Sequence, residues 1–214
     1  DAKPPFFGAG AFGMPEALSR EFPNARVDVA EIDPQVIEVG RRFFKLDEHP
    51  KVQAHAGDAR HFLRSHQDQR WDLIFGDAYA GIRSIPSHLV TQEFFQLVSD
   101  RLTPEGIFVM NAITAVQGPK AELLAGILAT LRKVFPHVEI FAVQGARQVT
   151  QNVIILASRQ DWKPWITDRF HASGTWQSRI LRSHVAANQL PTEGQVFTDD
   201  FNPVDRIIAR GLLQ

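Results

Sequence analysis

Carboxylates stand at the ends of three apolar segments in this sequence. Glu31, Asp58 and Asp77 each end or directly follow such a segment. An ionised carboxylate accepts hydrogen bonds from hydroxyl and amino groups, and it binds an ammonium group or takes a proton from it. If the segments are parallel strands, their carboxyl ends meet at one edge of a sheet, where open α/β folds bind ligands. The three acids therefore predict a site for a polar small molecule.

A glycine-rich segment, GAGAFG, lies near the start of the chain between a short apolar stretch and the amphipathic stretch MPEALSREF. Gly8, Gly10 and Gly13 have the G-x-G-x-x-G spacing, in which glycines permit a tight turn and a close approach of backbone to a nucleotide. Glu31 follows Gly10 by 21 residues, near the spacing of about 20 at which an acid binds a ribose diol in dinucleotide folds. The alternatives are a turn that merely needs glycine and a solvated acid at a strand end.

Two acids near these positions also suit a structural role. Asp33 directly precedes Pro34, so we expect it to cap the helix PQVIEVGRRFF, which leaves Glu31 as the diol ligand. Asp58 precedes a helix that begins near Arg60, and we expect it to cap that helix. Capping is compatible with accepting a hydrogen bond from an adenine amino group, so both roles stay open for Asp58.

Alternating elements position these residues. Strands that alternate with amphipathic stretches predict a parallel sheet with helices on both faces. The loop QGARQVTQ between the last two strands is too short for a helical crossover, so that pair is predicted to be antiparallel. After Ser158 we expect irregular chain until a helix from Pro203. The seven predicted strands are PFFGAG (5–10), ARVDVAE (25–31), KVQAHAG (51–57), WDLIFGD (71–77), GIFVMNA (106–112), VEIFAV (138–143) and NVIILAS (152–158).

Composition limits the classes of partner. A length of 214 residues with 44% hydrophobic content predicts a single domain spanning residues 1–214. A net charge of -1 gives no electrostatic footprint for nucleic acid. With no cysteine and no ligand spacing among the histidines, we expect no metal. Apolar runs fall short of the roughly 20 residues of a membrane span, so we expect no membrane insertion of this segment. A cytoplasmic location is expected, either alone or as the cytoplasmic part of a longer membrane-associated protein.

The order of the motifs resembles the spermidine synthase family of polyamine aminopropyltransferases, which share the class I S-adenosylmethionine methyltransferase fold. The matching strings are EID, GDA, DAYAG, IPSHLVTQEFF and TDDFNPV, and similar strings occur in a bacterial branch that is often fused to membrane segments. The resemblance implies a Rossmann-like α/β fold whose seven-stranded, mostly parallel sheet has the order 3-2-1-4-5-7-6 and an antiparallel last strand. It also implies a possible homodimer.

The same resemblance implies roles for individual residues. Glu31 would bind the ribose, Asp58 and the adjoining Ala59 the adenine, the GAGAFG loop the nucleoside and sulfonium side, and Asp77 the acceptor amine. The implied co-substrate is decarboxylated S-adenosylmethionine, and the implied acceptor is a small amine or polyamine. A methyltransferase that uses intact S-adenosylmethionine is the first alternative, and a catalytically silent domain that binds an adenosyl nucleoside is the second.

The sequence departs from the family pattern around Asp77. Ala80 occupies the position of a second aspartate in the family's D-x-x-D motif, and we expect the family's amino-terminal β-rich segment to be absent. The tyrosine that usually precedes the last strand has no counterpart in QGARQVTQ. Tyr79 either substitutes for it at the acceptor or packs against the core or the loop.

Polar residues downstream have two interpretations each. His88, in SIPSHL, is expected on a loop or helix start that borders the pocket, where it contacts the acceptor or serves the structure. Asp199 and Asp200, in TDDFNPV, are expected to cap the last helix together with Asn202 rather than bind a ligand.

Overall fold

Seven strands form one mixed sheet in the computed structural model, which describes residues 5–8, 12–79, 85–171 and 176–212. The strands are β1 (Pro5–Phe7), β2 (Val27–Glu31), β3 (Val52–Ala56), β4 (Trp71–Gly76), β5 (Leu102–Thr114), β6 (His137–Ala142) and β7 (Gln151–Ser158). Their order in the sheet is β3-β2-β1-β4-β5-β7-β6. The predicted fold class and strand order are therefore confirmed.

The first five strands run parallel, and β7 reverses the direction. It pairs antiparallel with both β5 and β6, as the short loop between the last two strands predicts. Because strands β1 to β5 are parallel, their carboxyl ends share one edge of the sheet. Glu31, Asp58 and Asp77 follow or end β2, β3 and β4 at that edge, as predicted.

Eight helices lie between and after the strands among the described residues. They are α1 (Gly13–Glu21), α2 (Pro34–Phe43), α3 (Ala59–Ser65), α4 (Gln92–Arg101), α5 (Glu122–Leu131), α6 (Lys163–His171), α7 (Trp176–Ser183) and α8 (Val204–Leu212). Within the described ranges no helix is both long and apolar enough to cross a membrane.

Two helices, α6 and α7, follow Ser158, so the predicted irregular chain is wrong there, whereas residues 190–203 contain no helix or strand, as predicted. The side chain of Asp161 accepts a hydrogen bond from the Lys163 backbone N–H at 3.0 Å, directly before Pro164 in the first turn of α6. An aspartate before a proline in the first turn is a start signal for a helix, and it was present in the sequence. The final helix begins one residue later than expected, at Val204, and Asn202 Oδ1 accepts the Val204 N–H at 3.1 Å.

Strand lengths also differ from the prediction. β1 stops at Phe7 because Gly8 adopts a φ of 87°, which lies outside the range of a strand. β5 is longer than predicted and runs from Leu102 to Thr114, since β4 and β7 supply partners along its two sides.

Two apolar cores lie on opposite faces of the sheet. Phe6 belongs to the smaller core with Val27 and Val29, whereas its neighbour Phe7 belongs to the larger core. Adjacent strand residues point to opposite faces, so a strand of three residues anchors both cores. The short β1 is thereby fixed between β2 and β4. Its carboxyl end lies between the ends of those strands, at the middle of the predicted site.

Candidate active site

The end of β1 touches the segment that carries Asp77. The Asp77 backbone N–H donates to the Phe7 carbonyl at 2.9 Å, and the Gly8 N–H donates to the Ala30 carbonyl at 3.0 Å. A Cβ atom on Gly8 would lie 2.6 Å from the Asp77 carbonyl oxygen. Together with its positive φ, this contact requires glycine at residue 8. The glycine lets the end of β1 approach the Asp77 backbone closely.

The Asp77 carboxylate is partly buried and held by strand β5. Asn111 Nδ2 donates a hydrogen bond to Asp77 Oδ1 at 2.9 Å. Burial raises the pKa of the Asp77 carboxyl above its usual value, and the hydrogen bond from Asn111 partly opposes that effect. A raised pKa makes the ionised carboxylate a better proton acceptor. Sequence reasoning missed Asn111, although an asparagine inside the apolar run IFVMNAIT was a visible signal.

Tyr79 is bound to the backbone of β5. Its hydroxyl donates to the Asn111 carbonyl at 2.8 Å and accepts from the Ile113 N–H at 2.9 Å. Pairing between β4 and β5 ends at Gly76 and Met110, so the phenol satisfies backbone groups just beyond the end of β4. Burial raises the pKa of the Tyr79 phenol, which stays neutral. These contacts favour the packing interpretation of Tyr79, and its contact with the acceptor remains a prediction.

Glu31 and Asp33 were expected to have different roles, Glu31 as the ribose ligand and Asp33 as the cap of α2. Asp33 Oδ1 accepts the Gln35 N–H at 2.8 Å and caps α2, which confirms the predicted cap. Glu31 ends β2 with only 8% of its surface exposed, and its Oε1 accepts the Asp33 N–H at 3.0 Å. The carboxylate is thereby anchored at the sheet edge. Its binding of a ribose remains a prediction.

Asp58 caps a helix and contacts a histidine. Its Oδ1 accepts the His61 N–H at 3.0 Å at the start of α3, as predicted, and its Oδ2 lies 2.7 Å from His88 Nε2. Burial alone would raise the pKa of the Asp58 carboxyl, but the hydrogen bonds with His88 and the His61 N–H outweigh it and the pKa is lowered. Ala59, the first residue of α3, is buried at 6% exposure. His88 lies on a single 3-10 turn, Ser87–Leu89, and its expected contact with the acceptor remains a prediction.

An ion pair that was not predicted from the sequence lies next to Asp58. Arg60, only 8% exposed, donates from Nη1 and Nη2 to the two carboxylate oxygens of Asp199 at 2.8 and 2.5 Å. Asp199 was expected to cap α8, and that expectation is wrong because its carboxylate is engaged by Arg60. The side chain of Asn202 caps α8 instead, by accepting the Val204 N–H. The arginine directly after GDA and the acid in TDD were the available signals.

The structure describes only some of the remaining predicted positions. Gly13 begins α1, and a Cβ there would meet no atom within 4 Å, so packing does not require glycine at residue 13. Gly10 and Ala80 lie outside the described residues. Among the residues that the structure describes, no group of three or more histidine, aspartate or glutamate side chains is arranged to hold a metal ion.

Comparison with known proteins identifies the family. The family model of the spermine/spermidine synthase domain matches residues 20–164, well over half of the chain. The chain is 31% identical to the polyamine aminopropyltransferase of Vibrio vulnificus over 152 residues, a match that covers 70% of this chain and 48% of that protein. It is 30% identical over 147 residues to the eEF1A lysine and N-terminal methyltransferase of Bos taurus, with 64% of this chain and 20% of that protein covered.

A solved structure supports the same fold. The crystal structure of human methyltransferase-like protein 13 in complex with SAH superposes with a TM-score of 0.69 at 24% identity, covering 86% of this chain and 84% of that one. The chain spans about half the length of the Vibrio relative and about a fifth of the bovine one. The shared fold, the strand-end carboxylates and the matched residues lead to one conclusion: the chain belongs to the spermine/spermidine synthase domain family.

Proposed function

We propose that this chain transfers an aminopropyl group from decarboxylated S-adenosylmethionine to an amine, with Asp77 as the acceptor-binding base. The observation that carries the proposal is the row of carboxylates at the carboxyl ends of β2, β3 and β4, with Asp77 half-buried and held by Asn111. The donor contains a sulfonium and an ammonium group, and the acceptor is an ammonium ion in water. An acidic edge complements all three positive charges.

The chemistry requires a neutral amine. Its nitrogen lone pair attacks the carbon next to the sulfonium, the carbon–sulfur bond breaks, and its electron pair leaves with methylthioadenosine. Free alkylamines are protonated near pH 7, so a proton must leave the nitrogen before or during the attack. The Asp77 carboxylate binds the ammonium, accepts that proton directly or through water, and orients the nitrogen. Because the pKa of Asp77 is raised, it differs less from the pKa of the amine, and this favours the proton transfer.

The donor nucleoside is assigned to the neighbouring strand ends. Glu31 binds the ribose hydroxyls, since a carboxylate accepts two hydrogen bonds from a diol. Asp58 accepts the adenine amino group beside Ala59, and the nucleoside and sulfonium side is assigned to the glycine-rich segment that begins at Gly8. The Gly57 N–H donates to the Glu31 carbonyl at 2.8 Å and keeps the ends of β2 and β3 together, which supports their assignment to one nucleoside.

A methyltransferase is the second candidate, and the 30% identity to a lysine methyltransferase favours it. A lysine side chain is also a primary amine, so Asp77 would have the same task. The two reactions differ in the carboxylate of intact S-adenosylmethionine, which needs a cationic or N–H partner. That carboxylate is attached on the sulfonium side of the donor, whereas Arg60 lies at the Asp58 end assigned to the adenine and is engaged by Asp199. The choice between the two donors is therefore made by experiment.

One incubation separates the candidates. The protein is mixed with either decarboxylated or intact S-adenosylmethionine and a panel of diamines and polyamines, and mass spectrometry records the mass added to the acceptor. A propylamine increment with the decarboxylated donor supports the proposal. A methyl increment with the intact donor supports the second candidate, and binding of methylthioadenosine without either increment supports a silent nucleoside-binding domain. The Asp77→Asn protein is the control for non-enzymatic transfer.

The proposal also includes the cellular location and the oligomeric state of the protein. We propose that the reaction occurs in the cytoplasm, which cell fractionation tests. The family resemblance implies a homodimer, and light scattering at several protein concentrations tests that assembly.

A further inference from the structure

The contact between Asp58 and His88 joins the carboxylate proposed to bind adenine to an imidazole that the proposed function does not use for the nucleoside. His88 Nε2 lies 2.7 Å from Asp58 Oδ2, and the two side chains are 45% and 31% exposed. The pair therefore faces solvent at the edge of the sheet rather than the core. A contact of this length in an open position holds the carboxylate where a ligand can reach it.

Both oxygens of Asp58 are held, each by a different element. Oδ1 accepts the His61 N–H at the start of α3, and Oδ2 contacts His88 on the 3-10 turn. Two bonds to the two oxygens of one carboxylate fix the rotation of its plane. Each carboxylate oxygen has two lone pairs, so the carboxylate still has acceptor positions for a ligand after both contacts are made.

The backbone that carries His88 is itself anchored on two sides. Arg60 Nη1 donates to the His88 carbonyl at 3.4 Å, and Asn202 Nδ2 donates to the Ser87 carbonyl at 2.7 Å. Arg60 is held in turn by Asp199, and Asn202 caps α8. A side chain on a turn anchored in this way approaches its partner with little freedom, as a supporting group must.

We propose that His88 is a specificity-determining positioning residue, whose Nε2–H holds the Asp58 carboxylate in the orientation that accepts the 6-amino group of adenine and disfavours a 6-oxo purine. An ionised carboxylate is an acceptor only, so it pairs with an amino group and repels a carbonyl oxygen at the same position. A site built around a hydrogen bond to one substrate group strongly rejects the analogue that lacks it. Discrimination requires that the carboxylate cannot turn away, which is the task of His88.

This inference rests on the part of the proposed function that assigns Asp58 to the adenine, and it does not depend on the group transferred. Calorimetric titration compares methylthioadenosine with methylthioinosine, its 6-oxo analogue, for the wild-type, His88→Leu and His88→Gln proteins. We expect His88→Leu to reduce the preference for the amino nucleoside by about tenfold, the loss of one hydrogen bond to a charged group. His88→Gln retains an N–H donor and should keep most of the preference.

The control is His61→Leu. The His61 side chain is exposed on α3, and its backbone N–H, which is the group that contacts Asp58, is unchanged by the substitution. This variant should discriminate like the wild type. Thermal unfolding of each variant checks that it folds, and His88→Asn, whose amide is too short to span the contact, replaces His88→Leu if the latter fails to fold.

The outcomes separate this inference from the proposed function. A wild-type preference for methylthioadenosine that persists in His88→Leu overturns the role of His88 alone. An equal loss of affinity for both nucleosides in His88→Leu also overturns it, since that pattern indicates a structural role. A wild-type protein that binds neither nucleoside overturns the nucleoside assignment of the proposed function.

Discussion

Asn111 and Asp77 are joined by a hydrogen bond of 2.9 Å between the Asn111 Nδ2 and the Asp77 Oδ1. The backbone carbonyl of the same asparagine accepts a hydrogen bond from Tyr79. One residue of β5 thus connects the carboxylate that follows β4 with the tyrosine two positions later. The bond uses one acceptor position of Oδ1, so the carboxylate keeps acceptor positions for the amine.

The Asn111 contact predicts a change in the pH dependence of transfer. Burial raises the pKa of Asp77 and Asn111 opposes it, so Asn111→Leu should raise that pKa further. The base must be ionised, and the acidic limb of kcat/KM should therefore move to higher pH. Activity should fall more on the acidic side of the profile than on its alkaline side. A pH profile of the variant with an unmoved acidic limb would show that Asn111 does not tune the base.

Asp77→Asn should abolish most of the turnover and spare the fold. Removing the basic oxygen should lower the transfer rate by about 10²- to 10⁴-fold, while methylthioadenosine binding persists. Because the folded pKa of Asp77 is raised, ionising this group costs stability as pH rises through that pKa. The variant should therefore be more thermally stable than wild type at pH 7, and the difference should vanish near pH 3. Wild-type rates in the variant would remove Asp77 from the mechanism.

Sequence patterns located the sheet edge well because each signal there was local. Asp33 and Asp58 each stand directly before the helix they cap, and the short loop before β7 dictated an antiparallel pair. Arg60 and Asp199 are 139 positions apart, and nothing within either local string indicates the other. Asn111 was visible as a polar residue in an apolar run, but its partner could not be predicted, because Asp77 lies beside it only when β4 and β5 pair. Contacts that depend on strand pairing required the fold.

Glu31→Gln tests the nucleoside site separately from the chemistry. The substitution keeps size and removes the charge, so the loss of a charge-assisted hydrogen bond to the ribose should cost about 1.5 to 3 kcal/mol of binding free energy. Titration with methylthioadenosine measures it, and circular dichroism checks that β2 is intact. Asp33→Asn, which retains a side-chain cap for α2, is the matched control. Equal affinity in Glu31→Gln and wild type would exclude Glu31 from the site.

Tyr79→Phe distinguishes a structural tyrosine from one that binds the acceptor. Without the hydroxyl, the Ile113 N–H and the Asn111 carbonyl lose their partner. An unpaired buried backbone group costs about 1 to 3 kcal/mol, so the free energy of unfolding in urea should fall by roughly that amount. Unchanged stability together with a raised KM for the acceptor would instead assign the hydroxyl to substrate binding.

The Arg60–Asp199 pair predicts that the folding stability decreases at acidic pH. The hydrogen bond from Arg60 is the main cause that lowers the pKa of Asp199, and it outweighs burial. A lowered folded pKa contributes stability above the unfolded value of 3.8, and that contribution is lost as pH falls through the folded pKa. Wild type should therefore be more stable than Asp199→Asn at pH 7, and the gap should narrow as pH drops from about 5 to about 2. Because Asp199 is 41% exposed at its side chain, solvent screens the pair and we expect a modest gap. Asp200→Asn, one position away, is the control, and an equal pH dependence in Asp199→Asn and wild type would contradict the contribution of this ion pair to stability.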